Sequence, residues 1–116
     1  MTNVLDKIIE DKRDSLKSIK KTNSLDSIEN TIKSLNNFLN FKEVIANNKK
    51  ASLITEIKKA SPSAGELVKD FNHLNIAKTY VDNGATCLSV LTEEKHFLGK
   101  LDYIRDIKDK FKIPIL

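Results

Sequence analysis

Apolar residues in the first forty positions return every three or four residues. Val4, Leu5, Ile8, Ile9 and Leu16 keep that interval, with Lys12 on the same stripe and Thr2 or Asn3 available to cap the first turn. After Ser24 a second run, Leu25, Ile28, Ile32, Leu35 and Phe38, steps by the same interval onto one stripe, undisturbed by Ser27 and Asn30. A third, short cluster of Phe41, Val44 and Ile45 gives way to Asn47-Asn48-Lys49-Lys50, the best linker candidate in the chain. The pattern predicts helices up to that break.

Beyond Lys50 the period shortens. Residues 52–57, Ser-Leu-Ile-Thr-Glu-Ile, are apolar and β-branched and predict a strand buried on most sides. A loop carrying Ser61-Pro62-Ser63-Ala64-Gly65 follows. Next comes a helix with Ile76, Ala77, Tyr80 and Val81 on one face and Gly84 placed to end it. Residues 86–91, Thr-Cys-Leu-Ser-Val-Leu, predict a second strand. A loop through Gly99 leads to a helix marked by Leu101, Ile104, Ile107 and Phe111, and Ile113-Pro-Ile-Leu116 reads as the opening of a third strand. Strands alternating with helices signal parallel βαβ units, whose right-handed crossovers place both later helices on one side of the sheet. Two strands and a stub leave one sheet face covered at best, so the pattern reads as the start of a larger α/β protein, cut short.

Composition narrows the class. A chain of 116 residues supports one small core, and only 3 Gly and 2 Pro argue against collagen-like, low-complexity or turn-dense all-β chains. One Cys forms no internal disulfide, which points to a reducing compartment. The apolar runs are far too short for a membrane span, and none follows Met1 as a secretion signal, so the expected location is cytoplasmic. Twenty basic against 16 acidic side chains give a net charge of +4. Both signs interleave, as in Glu10-Asp-Lys-Arg-Asp14, without a basic stripe; a solvated surface is favoured over nucleic-acid binding. The excess also suits an anionic small substrate and does not discriminate.

Candidate chemistry gathers at the strand ends. Glu56 and Lys58, two apart, emerge on one face at the C-terminal end of the first strand, where open sheets and barrels place their reactive groups. Such a pair keeps both members ionised and steers an anion or moves a proton; the plainer alternative is a structural ion pair. Lys59 points the other way, toward solvent. The loop with Ser61 and Ser63 offers hydroxyls and N–H groups to a carboxylate or phosphate, yet matches neither common glycine-rich phosphate motif, and a plain turn is the alternative. Ser89, Leu91 and Thr92 end the second strand. Phe97 either walls an apolar pocket for an aromatic ring or caps the core. His73 and His96 lack metal-ligand spacing and Cys87 sits mid-strand among apolar neighbours, so neither a metal centre nor thiol catalysis is expected. No serine nucleophile arrangement is legible.

Taken together these runs are more specific than any one alone. Glu56-Ile-Lys-Lys-Ala-Ser-Pro-Ser63 with Gly65 resembles the first-strand signature of the indole-3-glycerol-phosphate synthase family. Leu88-Ser-Val-Leu-Thr-Glu93, then Phe97 and Gly99, is similar to that family's second strand and loop. Leu5-Asp-Lys-Ile-Ile-Glu-Asp-Lys-Arg13 resembles its opening helix, and residues 113–116 the start of its third strand. The likeness runs in order over nearly the whole chain.

The resemblance implies a (β/α)8 barrel with a helical N-terminal extension packed over the active-site end. Residues 1–48 would be that extension, and 49–116 would run from the first strand to the start of the third. It implies ring closure of 1-(2-carboxyphenylamino)-1-deoxyribulose 5-phosphate with loss of carbon dioxide and water. No cofactor or metal is called for. By position, Glu56 and Lys58 match the family's acid/base and anion-contacting pair. Ser61 and Pro62 match residues at the substrate's aromatic end, and Ser89, Leu91 and Phe97 the pocket around the anthranilate ring; Ser63, Gly65 and Thr92 carry no firm assignment. The expected partner is a phosphorylated small molecule, not nucleic acid or membrane, and fusion to or association with other tryptophan-pathway enzymes fits the family. A complete barrel takes about 250 residues, so the expectation is an N-terminal piece, inactive alone, without the later strands' catalytic groups and phosphate cradle. Two alternatives stand beside this one: another enzyme of the phosphate-binding barrel group, and a non-enzymatic nucleic-acid-binding module.

Overall fold

The computed structural model describes residues 3–116, so Thr2, one of the two capping candidates, lies outside the described residues. The chain divides into two compact units, the first ending at Phe38 and the second Leu39–Leu116.

In the first unit, α1 (Val4–Thr22) starts at Asn3, whose side chain accepts from the Asp6 N–H at 2.8 Å while the Asp6 carboxylate accepts from the Asn3 N–H at 3.4 Å. This reciprocal box satisfies two N–H groups that the first turn would otherwise leave open. Helix α2 (Leu25–Ser34) is capped by the Ser24 hydroxyl alone, which accepts from the Ser27 N–H at 3.1 Å. It ends earlier than the apolar spacing predicts. Leu35 is already extended, and Leu35 and Phe38 fall outside the helix. Ser34, Asn36 and Asn37 explain the stop, since short polar side chains compete for backbone partners; the Ser34 hydroxyl donates to the Thr31 carbonyl at 2.7 Å. Neither helix buries a residue.

The second unit contains α3 (Phe41–Ala46), β1 (Ile54–Ile57), β2 (Ala60–Ser61), β3 (Gly65–Glu66), α4 (His73–Asp82), β4 (Cys87–Val90) and α5 (Asp102–Lys110). Strands β1 and β4 pair in parallel with Ile54 opposite Cys87, Thr55 opposite Leu88, Glu56 opposite Ser89 and Ile57 opposite Val90. The expected third strand begins beside β4: Leu88 bridges Ile115 in parallel, its N–H donating to the Pro114 carbonyl at 2.9 Å. The result is an α/β layer with parallel strands.

Both crossover helices lie on one side of that sheet, as right-handed connections require. Ala77 of α4 and Ile107 of α5 join Ile57, Leu88, Val90 and Ile113 in a single buried core. Gly84, at φ +88°, ends α4 in a Schellman motif: its N–H donates to Val81 and the Ala85 N–H to Tyr80.

Three further details differ from the sequence reading. Strand β1 starts at Ile54 rather than Ser52, because the Ser52 hydroxyl turns to the Ile45 carbonyl and the Leu53 N–H to the Thr86 hydroxyl. The loop at 61–65 is a small antiparallel hairpin, closed where Gly65 takes φ +68°. Lys59 is held by Glu66 across that hairpin at 3.5 Å instead of standing free in solvent.

Candidate active site

Strand alternation decides which side chains meet. Thr55 and Ile57 face the helices, so Ile54 and Glu56 emerge on the opposite face, with Cys87 and Ser89 as their in-register neighbours on β4. Lys58 continues that alternation just past the strand. Its Nζ stands 2.9 Å from Glu56 Oε1, with the two side chains 34% and 46% exposed. A half-exposed pair of this kind contributes at most about 1 kcal/mol to stability, so its geometry says more about reactivity than about folding. The ammonium attracts an anion, and the carboxylate is available to a proton.

Helix α4 shapes the surroundings. Tyr80 reaches over the edge of β1 and its hydroxyl donates to the Glu56 carbonyl at 3.2 Å. Glu56 and Lys58 line an open cavity of about 370 Å³ together with Val68, Asn75, Ile76, Thr79 and Tyr80. Ser89, Leu91 and Phe97 do not line it. The anchoring role of Tyr80 was hidden because its spacing marks it as one of the core-facing residues of α4, which it also is.

The remaining candidates gather around the strand ends through backbone bonds. The Leu91 N–H donates to the Ile57 carbonyl at 3.1 Å, extending the parallel ladder by one residue. Ser61 Oγ is 3.4 Å from Ser63 Oγ and accepts from the Ala64 N–H at 3.3 Å, so the hydroxyls brace the turn that carries exposed Pro62. The Ala60 N–H donates to the Phe97 carbonyl at 3.2 Å, which joins the hairpin to the loop after β4.

That loop has an internal organiser that sequence reasoning did not single out. The Glu93 carboxylate accepts from three backbone N–H groups: Lys95 at 3.1 Å, His96 at 2.6 Å and Phe97 at 3.2 Å. Burial alone would push this carboxyl up. The N–H donors of His96, Lys95 and Phe97, with the charge of His96, outweigh it and hold Glu93 below the usual carboxylate range. A carboxylate two to four residues ahead of an irregular segment is the only sequence signal for such a clasp, and it is a weak one. His73 Nε2 lies 2.8 Å from Asp106 Oδ2 and its ring stacks on Tyr103 at 4.4 Å, which ties α4 to α5. Cys87 is fully buried, and burial pushes its thiol up, keeping it protonated and unreactive at neutral pH.

Comparison with known proteins gives these features a context. The family model described as indole-3-glycerol phosphate synthase matches residues 5–116. Proteins named indole-3-glycerol phosphate synthase from Clostridium acetobutylicum and Desulforamulus reducens are 44% and 42% identical to the chain over 114 and 113 residues, covering 97% of it and 43% of each relative. One of the same name from Rhodopirellula baltica is 53% identical over 64 residues, 55% of the chain and 25% of that protein. The chain thus spans less than half the length of the relatives it matches.

Proposed function

The chain belongs to the indole-3-glycerol phosphate synthase family, and from that premise we propose that it supplies the first-strand catalytic pair and part of the aromatic pocket for that synthase reaction. The substrate is 1-(2-carboxyphenylamino)-1-deoxyribulose 5-phosphate. Its ring carbon bearing the carboxylate attacks the ribulose carbonyl carbon, carbon dioxide departs to restore aromaticity, and water is lost. Ring closure and dehydration need protons delivered or removed, whereas carbon dioxide leaves without one, and the anionic groups need cationic holds.

The observation that carries this reading is the Glu56–Lys58 pair, 2.9 Å apart at the C-terminal end of β1. Lys58 holds the anionic substrate and delivers a proton to the departing hydroxyl, which leaves as water, while Glu56 takes up the proton that dehydration removes. Ser61 and Pro62 lie toward the aromatic end, and Ser89, Leu91 and Phe97 wall the anthranilate ring. The parallel order of β1, β4 and the 113–116 segment, with both crossover helices on one face, supports a (β/α)8 barrel in which the Glu56 face is the interior. In it, residues 1–48 form the helical extension and 49–116 the first βα units. The unpaired, buried Cys87 supports a cytoplasmic setting.

The test is a chimera in which this chain replaces the matching residues of the Clostridium acetobutylicum relative. Formation of indole-3-glycerol phosphate is the expected result, falling about a hundredfold or more in Glu56→Gln and in Lys58→Met. A chimera that keeps full turnover with either side chain neutralised would remove the proposal.

A further inference from the structure

We propose that Glu93 is a positioning residue that sets the Phe97 wall against the Ser61–Pro62 hairpin. The role assigned to Phe97 rests on the function proposed above; the mechanical link does not. Glu93 works at both ends of its loop. Its carboxylate gathers the N–H groups of Lys95, His96 and Phe97, and its carbonyl accepts from the Gly99 N–H at 2.8 Å. The segment is closed into a ring whose other wall is the Leu91–Thr92 backbone. A Cβ on Gly99 would stand 2.2 Å from the Leu91 carbonyl oxygen, so the ring tolerates only glycine there. Leu98, at φ +52°, pays backbone strain that an unclasped loop would release.

The orientation passes onward through one bond. Glu93 holds the His96–Phe97 peptide through the Phe97 N–H, and the adjoining Phe97–Leu98 peptide presents the carbonyl that accepts from Ala60 next to Ser61. A carboxylate suits the device because it presents only acceptors: Oε1 takes the Lys95 N–H while Oε2 takes those of His96 and Phe97. A glutamine offers one acceptor oxygen and a competing NH2.

The experiment is amide hydrogen exchange, residue by residue, on the 116-residue chain and its Glu93→Ala variant. Exchange at Lys95, His96 and Phe97 should speed up about tenfold or more in Glu93→Ala, which removes every side-chain acceptor from the turn. Ala60 should accelerate with them, while Leu88 and Val90 in the sheet keep their wild-type rates. An unchanged Ala60 amide would overturn the proposal, because the link to the hairpin would then not depend on Glu93. Equal loss at Leu88 and Val90 would overturn it as well, since Glu93 would then be holding the sheet rather than the loop. Neither outcome bears on whether Glu56 and Lys58 are catalytic.

Discussion

Helices α1 and α5 follow the same amphipathic rule and end in opposite circumstances. Nineteen residues of α1, with a complete capping box, bury nothing, and Leu5 and Ile9 remain largely exposed. Nine residues of α5, with no side-chain cap, bury Ile107 completely against the sheet. Periodicity supplies a face but not what the face packs on. Caps and propensity hold the first unit's helices locally, whereas the second unit is held by a core.

The sharpest way to break this contrast is a pair of matched truncations. Ile107→Ala should cost about 3 kcal/mol in urea unfolding of the second unit, from lost burial and the cavity left behind. Ile28→Ala in α2 should stay within about 0.5 kcal/mol. Gly99→Ala should cost about 2 kcal/mol, because the new methyl meets the Leu91 carbonyl and the backbone must shift; a thermal melt reads it. Glu93→Gln should cost about 1.5 kcal/mol at neutral pH. The sign of its pH dependence follows from the depressed folded value. The unfolded carboxyl binds its proton first as pH falls, so Glu93's contribution is complete above about pH 4.3. It fades as pH drops through the folded value, and wild type and variant should converge in acid denaturation. One further change is a gain. Thr55 Oγ1 is buried without a partner among the described residues, and Thr55→Val should add about 1 kcal/mol in the same urea assay.

The alternation of strand and helix was legible because burial leaves a strong pattern. Ile57, Leu88, Val90 and Ile107 are core residues both by spacing and in the structure. The shared face of Glu56 and Lys58 was legible from a separation of two. What the sequence concealed are features set by one or a few hydrogen bonds. These include the hairpin closed at Gly65, the Tyr80 hydroxyl on the Glu56 carbonyl, the Glu93 clasp and the His73–Asp106 tie. Such contacts depend on loop conformation and long-range placement, and neither has a period. The early end of α2 was concealed for another reason: the apolar spacing continues through Leu35 and Phe38 while the intervening asparagines end the helix.

Native-state amide exchange across the whole chain tests the central contrast most directly. The account predicts that Leu88 and Val90, whose N–H groups join the parallel ladder, exchange only on global unfolding. Amides throughout α1 and α2 should open locally and exchange far faster. Protection in α1 and α2 equal to that of the sheet would contradict it.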